Sequence, residues 1–166
     1  LSSDDLDKKQ ISTFVDISAI APGVNVAKNE GFKTVITIRG VGYETNQNAI
    51  ATPSVSYHLD GIYIASPYSL QTEFMDLERI EVLRGPQGTL FGQNSTGGAI
   101  NVITAAPSLN ESSTYGDITI GDYSLVKTRA SFNRPLSETV ALRASFITHK
   151  RDGFTDNLST GQDLDD

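Results

Sequence analysis

The sequence contains no cysteine, which excludes disulfides and thiolate metal sites. It has two histidines, His58 and His149. They are far apart and lack His/Glu spacing on a shared helix, so no metal site is expected. No apolar run approaches the ~18 residues that a transmembrane helix needs. No signal-peptide pattern is present. Leu1-Ser2-Ser3 reads as a processed or trimmed start, and Leu164-Asp165-Asp166 as an end without a closing element. No polybasic run exists and the net charge is −7, so nothing would neutralise phosphates and nucleic acid is not an expected partner.

The enzyme signatures are missing as well. A P-loop requires a Gly-Lys pair, and there is none. Gly40-Val41-Gly42 follows a strand-like run, but Thr45 stands where a dinucleotide fingerprint needs its third glycine. No Gly-x-Ser-x-Gly occurs. Asp76, Glu78 and Glu81 are close in sequence, yet Glu81 alternates with apolar neighbours, and no cleft is indicated. An ion pair with a nearby arginine is the better reading than general acid/base work. No enzyme activity and no cofactor are expected.

What is present is β-rich. Ser3–Gln10 suits a short helix capped by Ser3, with acids early and lysines late. Ser12–Ile20 repeats the pattern, with Ser12 as cap and Phe14, Ile17 and Ile20 as an apolar stripe that Ala21-Pro22-Gly23 stops. Val24–Val26 and Lys33–Arg39 read as strands. Tyr43–Ser54 is a long polar loop, of the kind that is usually functional or disordered. In Val55–Ile64, Asp60-Gly61 supplies the left-handed positions of a type I′ hairpin. Ala65–Leu70 is another loop, and Gln71–Asp76 is expected to form one or two helical turns.

Residues 76–104 hold five glycines within fourteen residues, Gly85, Gly88, Gly92, Gly97 and Gly98, between two strand-like runs. No lysine follows them, so their expected work is conformational: positive φ and close backbone approach. Gly85-Pro86 should turn the strand Arg79–Arg84 into a short helix through Phe91, with Pro86 in its first turn. Gly92 should end that helix, and Gly98–Thr104 should return as a strand.

After Pro107 the pattern changes. Ser108–Ser113 reads as a linker, followed by three runs with period two. Val126, Thr128, Ala130 and Phe132 alternate with Lys127, Arg129, Ser131 and Asn133, and Val140, Leu142, Ala144 and Phe146 with Ala141, Arg143 and Ser145. Tight joins make this an antiparallel meander. Alternation alone fits either an edge sheet on a soluble core or the start of a transmembrane barrel. Three strands that cannot close favour the barrel.

The residues now carry a resemblance. Ile38-Arg39-Gly40, Leu59-Asp60-Gly61, the run from Asp76 to Gly92 and Gly97–Thr104 match, in order and spacing, the plug domain of TonB-dependent outer-membrane receptors. Residues 113–151 resemble the first barrel strands of that family.

The resemblance implies an α+β fold: a plug over residues 1–107, with a small mixed four-stranded sheet and short helices. The start of a transmembrane β-barrel of about 22 strands would cover residues 108–166. It also implies gated uptake, most often of a ferric siderophore, across the Gram-negative outer membrane. The partners would be TonB, the organic ligand and the lipid around the barrel. Cobalamin, carbohydrate and signalling receptors are the alternatives. The TonB box, which precedes the plug in the family, is missing from these residues, as is most of the barrel.

By the same resemblance, Arg39 and Arg84 would face carboxylates on the barrel wall, held by bidentate pairs. Tyr43, Asn46, Gln47 and Tyr68 would lie on loops that reach the substrate, offering aromatic faces and amides. The plug is expected to fold without the rest of the barrel, while residues 113–151 depend on further strands.

Overall fold

The computed structural model describes residues 1–9, 11–29, 33–42, 53–66, 69–70 and 73–153. They divide into two compact units, Leu1–Ala105 and Ala106–Asp166.

The first unit begins with two short helices, α1 (Ser3–Lys8) and α2 (Phe14–Ile20). Each is capped one residue away from where the sequence suggests. At α1 the cap is Ser2 rather than Ser3: its hydroxyl accepts from the Asp5 N–H (3.3 Å), and the Asp5 carboxylate accepts from the Ser2 N–H and hydroxyl. Those bonds hold Asp5 below the usual carboxylate range. At α2 the cap is Thr13 rather than Ser12. The Asp16 carboxylate accepts from both of their N–H groups and from the Thr13 hydroxyl (2.8–3.0 Å). A capping residue is selected by the side chain three positions on that can answer it, and in both helices that partner is an aspartate.

Two sheets follow. The first, β1 (Val24–Asn29), β2 (Lys33–Ile38) and β3 (Val41–Gly42), is antiparallel throughout. This three-stranded sheet goes beyond the four-stranded plug expected from sequence. The second is that mixed four-stranded sheet. It comprises β4 (Val55–Leu59), β5 (Ile62–Tyr63), β6 (Leu77–Arg84) and β7 (Gly98–Thr104), in the order β5-β4-β7-β6. Its one parallel pair is β4–β7. Leu1 and Ser2 join the free side of β6: Leu1 and Ile80 exchange two backbone hydrogen bonds, and Ser2 bridges Arg79.

Register separates the two faces of this sheet. Tyr57, Ile100 and Val82 are aligned on one face, and His58, Asn101 and Glu81 on the other. The apolar face joins α2 in the core, where Phe14, Ile17, Ile38, Ile80, Ile100 and Val102 are all at most 1% exposed. The Phe14 ring meets Tyr57 and Phe74 edge-on, each at 4.7 Å, a favoured aromatic geometry. Burial pushes the Tyr57 phenol up to about 12, with Asp60 adding to the effect.

The Asp60-Gly61 hairpin forms as its sequence dictates, with φ of 50° and 79°. Asp60 also reaches across the sheet: its two carboxylate oxygens accept from the Thr104 N–H (2.8 Å) and hydroxyl (2.9 Å). Two local expectations fail. Glu73–Met75 are not helical. The Phe74 N–H donates to the Ser12 carbonyl (2.7 Å) while its ring is buried on Phe14, so tertiary packing overrides local propensity. Pro86 lies outside the short helix α3 (Gly88–Phe91), which Gln87 precedes.

The second unit is a meander of β8 (Ser113–Gly121), β9 (Leu125–Pro135) and β10 (Ala141–Lys150), with β9 in the centre. Its first turn uses Tyr123 and Ser124 at positive φ rather than glycine.

Candidate functional site

Arg39 and Arg84 come from different sheets. Arg39 occupies the first position of the two-residue turn between β2 and β3, where Ile38 pairs with Val41. Its φ is 53°, followed by Gly40 at 77°. That left-handed conformation is costly for an arginine and free for glycine. Arg84 ends β6, pairs with Gly98, and precedes Gly85 at φ 87°. Both arginines are exposed, and neither makes an ion pair with a described residue.

Gly97 and Gly98 lie closely against the first sheet. A Cβ on Gly97 would stand 2.8 Å from Val41 Cγ1, and one on Gly98 would stand 2.8 Å from Ile38 Cδ1 and collide with the Leu83 carbonyl. Gly98 also has φ of 149°. These glycines therefore work by close backbone approach. They bring the turn that carries Arg39 against the strand pair that ends in Arg84. A ligand-cradling role, which needs open backbone amides, is inconsistent with the Gly97 N–H donating to Ser54 (2.7 Å).

Tyr43, Asn46, Gln47 and Tyr68 lie outside the described residues. The strands that lead to them are described: β3 ends at Gly42, and β5 ends at Tyr63.

The polar face of the mixed sheet carries a row of side chains. Asn101 accepts from the Gly61 N–H (3.2 Å) and donates to Glu81 (3.3 Å). Glu81 accepts from Arg79 at 2.8 Å, and Arg79 also pairs with Glu78. The Arg79 hydrogen bond holds Glu81 below the usual carboxylate range against the opposing effect of burial. This is the ion pair expected from sequence. His58 is buried beside it, with Nε2 sharing a hydrogen bond with Ser56 Oγ (3.1 Å) and its ring on Phe91. Among the described residues no cluster suited to a metal ion occurs.

The second unit presents two unlike faces. On one, Ile118, Ile120, Val126, Phe132, Leu142 and Phe146 are exposed, Ile120 at 78%. On the other, Asp117 accepts from Arg129 at 2.7 Å. Here also lies a residue that sequence reading passed over. Asn133 is 2% exposed, and its amide binds the backbone of Ser108 and Glu111. Alternation placed it among ordinary polar positions, and only its partners distinguish it.

Comparison with known proteins fits this geometry. A family model described as the TonB-dependent receptor plug domain matches residues 1–99. The pesticin receptor of Yersinia pestis is 30% identical over 169 residues, covering 98% of this chain and 24% of that protein. The ferric enterobactin receptor of Pseudomonas aeruginosa is 29% identical, covering 97% and 24%. Among solved structures, the ferric yersiniabactin uptake receptor from Yersinia pestis superposes with a TM-score of 0.75 at 26% identity, over 98% of this chain and 25% of that one. The chain thus spans about a quarter of the length of the relatives it matches.

Proposed function

The chain belongs to the TonB-dependent receptor plug domain family, and from that premise we propose that it closes and opens the pore of an outer-membrane importer. The importer takes up a scarce nutrient, a ferric siderophore, using energy delivered through TonB. The division between Ala105 and Ala106 supports reading residues 1–107 as the plug and 108–166 as the start of the barrel. The observation that carries the proposal is the two-faced meander directly after the family-matched unit. Its exposed apolar side has the chemistry of a lipid-facing wall, and its charged side that of a water-filled lumen. The names of the relatives, receptors for ferric enterobactin and ferric yersiniabactin, support the cargo class. The reading assigns no reaction chemistry to the chain.

Within it, Arg39 and Arg84 are the plug's attachments to wall carboxylates. Their exposure, their lack of an ion pair with a described residue, and the strain retained at Arg39 all support the assignment. An arginine–carboxylate pair is strong enough to seal and reversible enough to release. Tyr43, Asn46, Gln47 and Tyr68 are proposed substrate contacts on the loops beyond β3 and β5.

The test is growth of a strain lacking the receptor on single iron sources. Loss of growth on one ferric siderophore, restored by the receptor only when TonB is present, is expected. Normal growth on every iron source, with a defect on cobalamin or a carbohydrate instead, would overturn the cargo. Charge reversal of the plug attachment, Arg84→Glu, should admit large antibiotics through the complete receptor. A pore as tight as wild type would remove Arg84 from the lock.

A further inference from the structure

We propose that Asn133 is a positioning residue that clamps the connector to the barrel wall and fixes where the plug's chain ends mechanically. The proposal rests on the reading of the two units as plug and barrel start.

The geometry is specific. Asn133 Oδ1 accepts from the Ser108 N–H at 2.8 Å, and Nδ2 donates to the Ser108 carbonyl at 2.9 Å. One side-chain amide therefore engages both backbone groups of one residue, as a neighbouring strand would. The second Nδ2 hydrogen donates to the Glu111 carbonyl at 2.6 Å. Three groups of the amide are thus used inside a site that is 2% exposed. Aspartate could satisfy only the Ser108 N–H and would set its charge against two carbonyls.

The position matters as much as the chemistry. Backbone pairing between β8 and β9 begins at Ser113, opposite Asn133. Residues 108–112 lie before that ladder, and Asn133 holds them against β9. Asn133 shares its face with Arg129 and Ser131, opposite Phe132, so the connector runs along the charged face of the meander. A pull arriving through the plug then stops at Ser108, rather than peeling residues 108–112 off the wall and slackening the tether.

The test uses the complete receptor in lipid nanodiscs, with the barrel fixed and a handle at the plug's N-terminus. In single-molecule pulling, Asn133→Ala should lengthen the final extension by residues 108–112, about 17 Å at full stretch. Exchange of the Ser108 amide should accelerate by about tenfold or more, with the amides of Thr128–Phe132 unchanged. Asn133→Asp should behave like the alanine variant in extension. Asn133→Gln, which keeps all three hydrogen-bonding groups, should fall between them and wild type, and serves if the smaller variants fail to fold. Equal extensions and unchanged Ser108 exchange in all variants would overturn the clamp. Siderophore import is scored separately, so a receptor that imports nothing yet shows the exchange differences keeps the clamp and loses the functional reading.

Discussion

In the first unit Phe14, Ile80, Ile100 and Val102 are shut away from water, while in the second Ile118, Phe132, Leu142 and Phe146 stand in it. The residue types are the same, and in the strands so is the alternation. The difference lies in what the fold supplies to cover them. The first unit brings α2 and a second sheet onto its apolar face; among the described residues, the second brings nothing of its own. A strand pattern thus states that one face is apolar and leaves open what will cover it.

The comparison breaks most readily at Phe14. Phe14→Ala should cost the first unit about 3–5 kcal/mol, because a fully buried ring leaves a cavity among Tyr57 and Phe74. Phe132→Ala, in water, should cost less than about 1 kcal/mol. Denaturant titration of residues 1–166, followed by amide exchange in each unit, measures both; equal losses would erase the distinction. In a bilayer the ranking should reverse for polar substitutions. Phe146→Arg, near the middle of β10, should cost the complete receptor up to about 2–4 kcal/mol in folding into vesicles. Ser145→Arg, on the other face, should cost little, and a similar penalty for both would argue against lipid on the apolar side.

Much of the first unit was legible because its signals are local. Asp60-Gly61 needs only two residues to dictate its turn, and the Arg79–Glu81 pair needs only their proximity. The caps slipped by one residue because a cap depends on the acid three positions later, Asp5 or Asp16, as much as on the serine. Glu73–Met75 and the pairing of Leu1 with Ile80 were not legible, since both are set by residues distant in sequence. The two plug arginines were read from resemblance; the close packing of Val41 and Ile38 on Gly97-Gly98 required the register of two sheets. Asn133 was invisible because its importance lies in backbone groups, which every sequence possesses.

Two smaller effects sharpen what the buried face of the first unit is. The Tyr57 phenol is raised to about 12 from its ordinary value of 10.0. Its contribution to stability is therefore complete below pH 10 and is lost as pH rises toward 12, because the unfolded chain ionises first. The first unit should lose up to about 2 kcal/mol across that window, and Tyr57→Phe should flatten the loss. The smallest effect is a gain. Arg39→Gly should stabilise the first unit by about 1 kcal/mol by removing the left-handed arginine. Thermal melts test that gain, and a leakier complete receptor would show that the strain was kept for the attachment.

The two backbone bonds between Leu1 and Ile80 have a mechanical consequence. Ile80 and Arg84 belong to one uninterrupted strand, four residues or roughly 13 Å apart. Tension applied at Leu1 is therefore not absorbed by a slack tail. It loads a stiff rod whose far end carries Arg84, so a pull at Leu1 and the proposed wall attachment would share one piece.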